Sequence, residues 1–384
     1  MIKVHITLVG GQPTPVYHAI KATVPDFVVF IYSEDTTKQL NLIKNEVPVP
    51  SRDVLLHPTD AEKIRTTAEE LAKEFATDEV TVNISGGLKS WSFWFGVIFH
   101  KCNNASVIYI DQNNTLWNYN TMQCREVPDI DLLVQFRLHG NPIDGNYTPY
   151  TEYTDADKEA IKDIKYLRSQ NYEVFNRLAT VLTDKQNNRL RNDKNGIFTI
   201  PNDPRSFIQW EGAKEKGQDQ KITISICRKN GQCVESEICS PHAKDLVFKA
   251  GWFEYEIATL VAKWDKAKEI FLNCHFPFIK GVDKNEVDII VNTGKKALFI
   301  ECKTQINSSN DIDKFTSVIK KYGGIGSKGL FVTDAPMRDL DKKKCEENHI
   351  LHFSLQEHTN NPLLPAGKAL AMLLKENISK INAR

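Results

Sequence analysis

The order of apolar and polar positions divides this 384-residue chain into three stretches. In the first, short apolar runs alternate with amphipathic ones. Residues 2–9 (IKVHITLV), 26–32 (DFVVFIY), 79–84 (EVTVNI) and 105–111 (ASVIYID) read as buried strands. Residues 14–23, 35–46, 58–76 and 89–102 carry the apolar spacing of helices, the third capped by Thr59 or Asp60. This alternation predicts right-handed βαβ units around a parallel, Rossmann-like sheet. Residues 114–137 read as a hairpin and a last strand. In the middle stretch, 154–182 read as one or two helices, 183–196 as a polar loop, and 205–210, 221–227 and 232–239 as short strands. The third stretch opens on a helix, 251–264, with Trp252, Phe253, Ile257, Leu260, Val261 and Trp264 on one stripe. Strands follow at 269–276, 286–292, 297–303 and 328–333, with a helix at 310–322 and a C-terminal helix near 365–380. The fold class expected is α/β, in units 1–145, 146–244 and 245–384.

Composition alters this picture in one respect. Lys+Arg and Asp+Glu both number 49, a net charge of zero. Residues 1–150 hold 12 basic and 17 acidic side chains, whereas residues 241–384 hold 22 and 18. A uniformly basic nucleic-acid coat protein is excluded, and a basic third unit joined to an acidic first one is not. No apolar run approaches the ~20 residues of a membrane helix. The opening residues lack the zones of a signal peptide. The eight cysteines include no CxxC pair and argue for a reducing cytoplasm, with Cys227, Cys233 and Cys239 as free strand residues rather than zinc ligands. His5 and His139 read as structural.

Ligands of parallel sheets sit at the carboxyl ends of the strands. Two loops stand there. Gly10, Gly11, Gln12, Pro13 and Thr14 follow the first strand, and Ser85, Gly86, Gly87, Leu88 and Lys89 follow the strand ending in Asn83–Ile84. Glycines permit close backbone approach, and the helix starts behind them offer free N–H groups, which suits a phosphate. Neither loop is GxGxxG or a Walker motif, so a dinucleotide cofactor is disfavoured.

In the third stretch, a hairpin centred between Gly294 and Lys295 sets Asp288 directly across from Glu301. Alternation adds Glu286, Lys303 and Gln305 to their face and assigns Val287, Ile289, Ile300 and Cys302 to the other. Two facing carboxylates repel unless a cation lies between them, and hard oxygens suit Mg²⁺ or Mn²⁺. With a lysine two residues on, these are the parts for metal-assisted phosphodiester hydrolysis.

Asp288, twelve residues, then Glu301–Cys302–Lys303 resembles the D…(D/E)xK motif of the restriction-endonuclease-like superfamily, PD-(D/E)xK. Gly251–Trp252–Phe253–Glu254 is similar to the G-x-W-L-E helix of one branch, the CRISPR ancillary nucleases that fuse an N-terminal CARF sensor to such a nuclease. Asn83–Ile84–Ser85–Gly86–Gly87–Leu88–Lys89 is similar to the N-x-T-G-G-T-K loop of those sensors, with Ser85 and Leu88 in place of threonines. Gly11–Gln12–Pro13–Thr14 falls where their first ligand loop lies.

The resemblance implies Asp288, Glu301 and Glu254 as metal ligands, Lys303 as the catalytic lysine, and Glu286 and Gln305 as supporting contacts. Glu256, two residues on and roughly 200° around the helix, is the weaker partner. It further implies cyclic tetra-adenylate as activator, a homodimer, Mn²⁺ or Mg²⁺, and DNA or RNA as substrate in antiviral defence. Lys295, Lys296, Lys320, Lys321 and Lys342–Lys344 are the expected phosphate contacts. The alternatives are a ligand-sensing regulator with an inactive nuclease fold, and a stand-alone restriction enzyme.

Overall fold

The computed structural model describes residues 1–182, 194–212, 215, 217–278, 284–294, 296–306, 308–323, 327–359 and 364–377. Residues 183–193 of the expected polar loop, Lys295 of the expected turn and the last residues of the expected C-terminal helix lie outside them. The fold is mixed α/β, with a largely parallel Rossmann-like sheet and two further sheets.

The first sheet is built from β1 (Lys3–Leu8), β2 (Phe27–Tyr32), β3 (Ser51–Leu55), β4 (Glu79–Asn83), β5 (Ala105–Ile110), β6 (Thr115–Asn118) and β7 (Gln123–Glu126), in the order 3-2-1-4-5-6-7. Strands β1 to β5 pair in parallel, and β6 and β7 add an antiparallel hairpin. Helices α1 (Pro13–Thr23), α2 (Thr37–Glu46), α3 (Ala61–Glu74) and α4 (Lys89–His100) cover its faces. The order reverses beside β1, so the turns after β1 and β4 lie together at the switch point.

Two elements depart from the sequence reading. Strand β3 is a half-polar edge strand, SRDVL, whose burial is too shallow to show as an apolar run. The expected last strand is instead helix α5 (Leu132–Leu138), capped by the Asp131 carboxylate on the Leu133 and Val134 N–H groups. Helix α5 is wedged between two cores. Leu138 joins the core around Val16, Phe30 and Leu40, while Leu132 and Phe136 pack with Phe271, Phe276 and Phe299 of the third sheet.

The second sheet is antiparallel: β9 (Asn195–Ile200), β10 (Asp203–Glu211), β11 (Gln220–Cys227) and β12 (Cys233–Ser240). The third has the order β17-β16-β15-β14-β13-β8, from β8 (Thr148–Pro149), β13 (Glu269–His275), β14 (Glu286–Asn292), β15 (Ala297–Lys303), β16 (Lys328–Thr333) and β17 (Ile350–Ser354). The remaining helices are α6 (Asp155–Gln170), α7 (Tyr172–Ala179), α8 (Ala243–Phe248), α9 (Gly251–Val261), α10 (Asn310–Val318), α11 (Asp339–Glu347), α12 (Gln356–Thr359) and α13 (Ala366–Glu376).

The middle stretch is no independent body. Trp210, Ile222, Ile224 and Ile238 share one continuous core with Phe253, Ile257, Leu298 and Leu370. The fully buried Asp157 carboxylate ties α6 to α8, accepting from Thr154 and contacting the His242 ring nitrogen at 3.1 Å. Cys227 and Cys233 face each other where β11 meets β12 and form a disulfide, which corrects the expectation of free strand cysteines. Their spacing of six is that of two residues closing a five-residue hairpin loop.

Candidate functional site

Two groups of predicted residues come together, in different ways. In the first sheet, the turns after β1 and β4 are in backbone contact. A Cβ on Gly86 would fall on the Leu8 carbonyl, and one on Gly10 would stand 2.7 Å from the Gly87 nitrogen. Only glycine allows this approach. Asn83 is fully buried and organises the turn rather than facing outward. Its amide donates to Thr7 Oγ1 (3.0 Å), and its Oδ1 accepts from the Ser85 N–H and hydroxyl. The Ser85 Oγ in turn accepts from the Ile110 N–H at 2.7 Å, so Ser85 too is held inward.

Both helices behind these turns begin without a side-chain cap and without an acidic residue in the first turn: α1 after Gln12, α4 after Leu88. The first N–H groups of α4 are left for an outside acceptor, at the positive end of the helix dipole; α1 offers fewer, because its Pro13 and Pro15 carry no N–H. Pro13 is buried in the first turn of α1, and Thr14 Oγ1 stands 3.3 Å from His139 Nε2 at the end of α5. Lys89 is exposed. His5, held on Thr23 Oγ1, is wholly buried, which pushes its pKa down to about 3, as expected of a structural histidine.

In the third sheet the hairpin has the expected register: Ile289 faces Ile300, and Asn292 faces Ala297. Gly294 takes a φ of +85° in the turn, where a side chain would strike Asp129. Backbone pairing of β14 with β15 stops at Ile289–Ile300. Beyond it the Asp288 carboxylate, not a carbonyl, accepts from the Cys302 N–H (2.7 Å). The strict alternation expected along β14 fails at this point. Val287 packs in the core around Phe271 and Phe299, while Ile289, Ile300 and Cys302 pack in the opposite core. Pairing with β13 also skips Asn273, which has a φ of +50°, so both strands exchange faces at the level of Asp288. The hairpin is therefore apolar on both faces near its turn, and its polar residues gather at the far end.

There Asp288 (5% exposed) and Glu301 (2% exposed) lie under two lysines. Lys303 Nζ is 2.6 Å from Glu301 Oε1 and 3.8 Å from Asp288 Oδ2. Lys284 Nζ is 2.8 and 2.7 Å from the two Glu301 oxygens and 3.5 Å from Asp288 Oδ1. Sequence reasoning missed Lys284. It stands outside the D…ExK spacing, four residues before Asp288 and two before β14 begins.

Glu254, in the first turn of α9, has an enclosed Oε2 with no hydrogen-bond partner. Burial raises its pKa, as do the nearby Asp288 and Glu286 charges. Burial and Asp288 also raise the Glu301 carboxyl against the pull of the two lysines. Burial works against charge on Lys303 and Lys284, but Asp288 and Glu301 outweigh it and raise both. An orphaned carboxylate oxygen among hard oxygen donors fits a small divalent cation. Among the described residues, no three His, Cys, Asp or Glu side chains already stand together as a ligand set. Ammonium groups lie between the carboxylates instead.

Glu286 stays near enough to raise Glu254 by its charge, and the other predicted residues scatter. Glu286 sits 3.8 Å from His275. Glu256 is paired with Lys165 (2.5 Å), and Gln305 is exposed beyond the end of β15. Lys296 is buried, which removes it from the expected phosphate contacts; Lys342 and Lys344 are paired with Glu357 and Asp313. Lys320, Lys321 and Lys343 are exposed. No helix among the described residues is long and apolar enough to cross a membrane.

Residues 4–132 match the family described as the Card1 CARF domain. No curated protein matches the chain significantly. Among solved structures, Can2 from Sulfobacillus thermosulfidooxidans, determined in complex with cyclic tetra-adenylate, is similar over 97% of this chain and 98% of its own, with a TM-score of 0.65 and 17% identity. Protein VC1899 from Vibrio cholerae is similar over 99% of both chains, with a TM-score of 0.70 and 16% identity. A type III CRISPR defence DNA nuclease activated by cyclic oligoadenylate is similar over 97% of this chain but 52% of its own, with a TM-score of 0.55 and 15% identity. Residues 4–132 thus match the Card1 CARF domain, within a fold that along nearly its whole length is similar to those of Can2 and VC1899.

Proposed function

We propose that this protein is a nuclease of type III CRISPR defence, switched on by cyclic tetra-adenylate and dependent on Mg²⁺ or Mn²⁺. The observation that carries the reading is the joint presence of a Card1-type CARF domain and, on another sheet of the same chain, Asp288, Glu301 and Lys303 beside the orphaned Glu254 oxygen. Likeness in fold to a cyclic tetra-adenylate complex and to an oligoadenylate-activated nuclease supports it.

In this reading the cyclic nucleotide lies over the two glycine turns. Its phosphates take the free N–H groups at the start of α4 and the Thr14 N–H of α1, whose Pro13 and Pro15 have none, and Lys89 adds one charge. The ligand is held across a homodimer, in which Leu88, Phe93 and Val97, exposed apolar residues at the start and on the outer face of α4, meet their copies. The residues flanking helix α5 touch both halves: His139 meets Thr14 at the first turn, and the Ile130 N–H donates to the Gly294 carbonyl at the hairpin.

At the third sheet, Asp288, Glu301 and Glu254 would hold the divalent cation, which when bound supplies Lewis acidity and an activated water. Lys303 offers its ammonium to the negative charge that builds on the phosphate oxygens during in-line attack. The exposed lysines 320, 321 and 343 contact backbone phosphates without reading bases, so DNA and RNA are both candidate substrates.

The test is a cleavage panel of single- and double-stranded DNA and RNA with Mn²⁺, with and without cyclic tetra-adenylate. Cleavage that requires the activator is expected. Ligand binding without cleavage of any substrate would instead mark a regulator, and cleavage without activator a stand-alone nuclease.

A further inference from the structure

We propose that Lys284 is an internal counter-cation of the nuclease site: its ammonium holds the place between Glu301 and Asp288 that the divalent cation takes, and the cation binds only as Lys284 leaves. This rests on the reading of Asp288 and Glu301 as metal ligands and adds a residue that neither the motif nor the comparisons assign.

The geometry is that of a bridging ion. Lys284 Nζ touches both Glu301 oxygens, at 2.7 and 2.8 Å, and reaches Asp288 Oδ1 at 3.5 Å. A divalent cation of this class needs the same oxygens at about 2.0–2.1 Å, so the two cannot share them. Charge leads to the same conclusion. Asp288 and Glu301 already face two ammoniums, Lys284 and Lys303. A doubly charged ion added among the same oxygens would stand against both ammoniums in an enclosed space, and the withdrawal of Lys284 removes one of the two.

The two lysines differ in their freedom to move. Lys303 belongs to β15, which is paired in parallel with β16 up to that residue. Lys284 precedes β14, carries a long flexible stem and can turn outward without breaking a ladder. While in place it relieves the repulsion between two buried carboxylates, which would otherwise be costly. Lys284 thus keeps the metal-free site folded and sets a threshold on metal entry.

The experiment is Mn²⁺ titration of the full-length protein, read by the loss of the free-ion paramagnetic resonance signal, without nucleic acid or activator. Wild type, Lys284→Met, Lys284→Arg and Glu301→Gln are compared, with thermal melting as the check on folding. Lys284→Met removes a charge-assisted competitor and should tighten Mn²⁺ binding about tenfold or more. Lys284→Arg should not tighten it, and Glu301→Gln should lose it. Should the Met variant not fold, Lys284→Gln carries the same expectation. Unchanged or weaker binding in the Met variant, with Glu301→Gln still losing the ion, overturns the role of Lys284 and leaves the metal site standing. Mn²⁺ binding that ignores Glu301→Gln, or is absent from all four proteins, overturns the metal site itself and Lys284 with it.

Discussion

The glycine turns of the first sheet and the carboxylate–lysine cluster of the third are both proposed to meet phosphates, yet they share almost no chemistry. Among the described residues, the first region has no ion pair in its turns. Asn83 and Ser85 are turned inward to shape the backbone, which leaves N–H groups, the part-exposed Gln12 and Thr14 side chains and one exposed lysine for a ligand. The second is dense in charge, with Asp288 and Glu301 buried under two ammoniums. A region that must recognise and release a ligand does well with fixed dipoles, which need no counter-charge when empty. A region that must stabilise a transient charge needs strong local charges, and these must be neutralised internally while the site waits.

The strongest way to break this contrast is at Glu301. Glu301→Gln keeps the shape and removes the charge. It should lower activated cleavage at least about 10²-fold, the scale of losing a main electrostatic contact to the transition state. Cyclic tetra-adenylate affinity, measured by calorimetry, should not change. A parallel loss of ligand affinity would mean that the two regions are not chemically separate.

The converse change is Gly86→Val. Its Cβ would strike the Leu8 carbonyl and force the turns apart. Ligand affinity should fall at least about tenfold, since aligned N–H groups hold the anion only at close range. Mn²⁺ binding at the third sheet should be unaffected. Retained affinity would place the ligand elsewhere.

A third change probes what holds the charged region in place. Asp157→Asn breaks the buried link from α6 to His242 and should destabilise the C-terminal half by about 2–3 kcal/mol, read by chemical denaturation. Burial pushes Asp157 up, but hydrogen bonds from His242 and Thr154 outweigh it and hold the carboxyl down at about 2. The same bond raises His242 above its ordinary 6.5. The Asp157 contribution is present above its ordinary pKa of 3.8 and is lost as pH falls through about 2. The His242 contribution is present below 6.5 and is lost as pH rises through its raised value. The wild-type advantage should therefore be widest between about pH 4 and 6.5 and narrow on both sides. The glycine turns should keep their ligand throughout.

How much of this was legible in sequence follows from how local each feature is. Four of the five parallel strands and both glycine turns follow from short apolar runs and their punctuation, and the Ile289–Ile300 register follows from the turn at Gly294. The face exchange at Asp288 was not legible, because it depends on Asn273 of a neighbouring strand rather than on the period of β14 itself. Helix α5 has the apolar look of a strand in sequence because its seven residues, LLVQFRL, pack into two cores at once. Lys284 could not be found by spacing. A signal was present, since a lysine preceding an acidic strand is the nearest counter-charge, but only coordinates show it between the two carboxylates.

The smallest effect is the most discriminating. If the first region binds through backbone dipoles, its one exposed cation matters little. Lys89→Gln should weaken cyclic tetra-adenylate binding by about threefold to tenfold, because a solvent-exposed charge contact is worth about 0.2–1 kcal/mol and a dimer places two on one ligand. The dependence of affinity on salt should flatten slightly, as expected for losing screened, exposed charges. Nuclease activity at saturating ligand should match wild type, since Lys89 touches no residue of the third sheet among the described ones. A loss beyond about a hundredfold would exceed what exposed pairs supply. It would mean that the first region, like the second, depends on concentrated side-chain charge, and the contrast between them would fall.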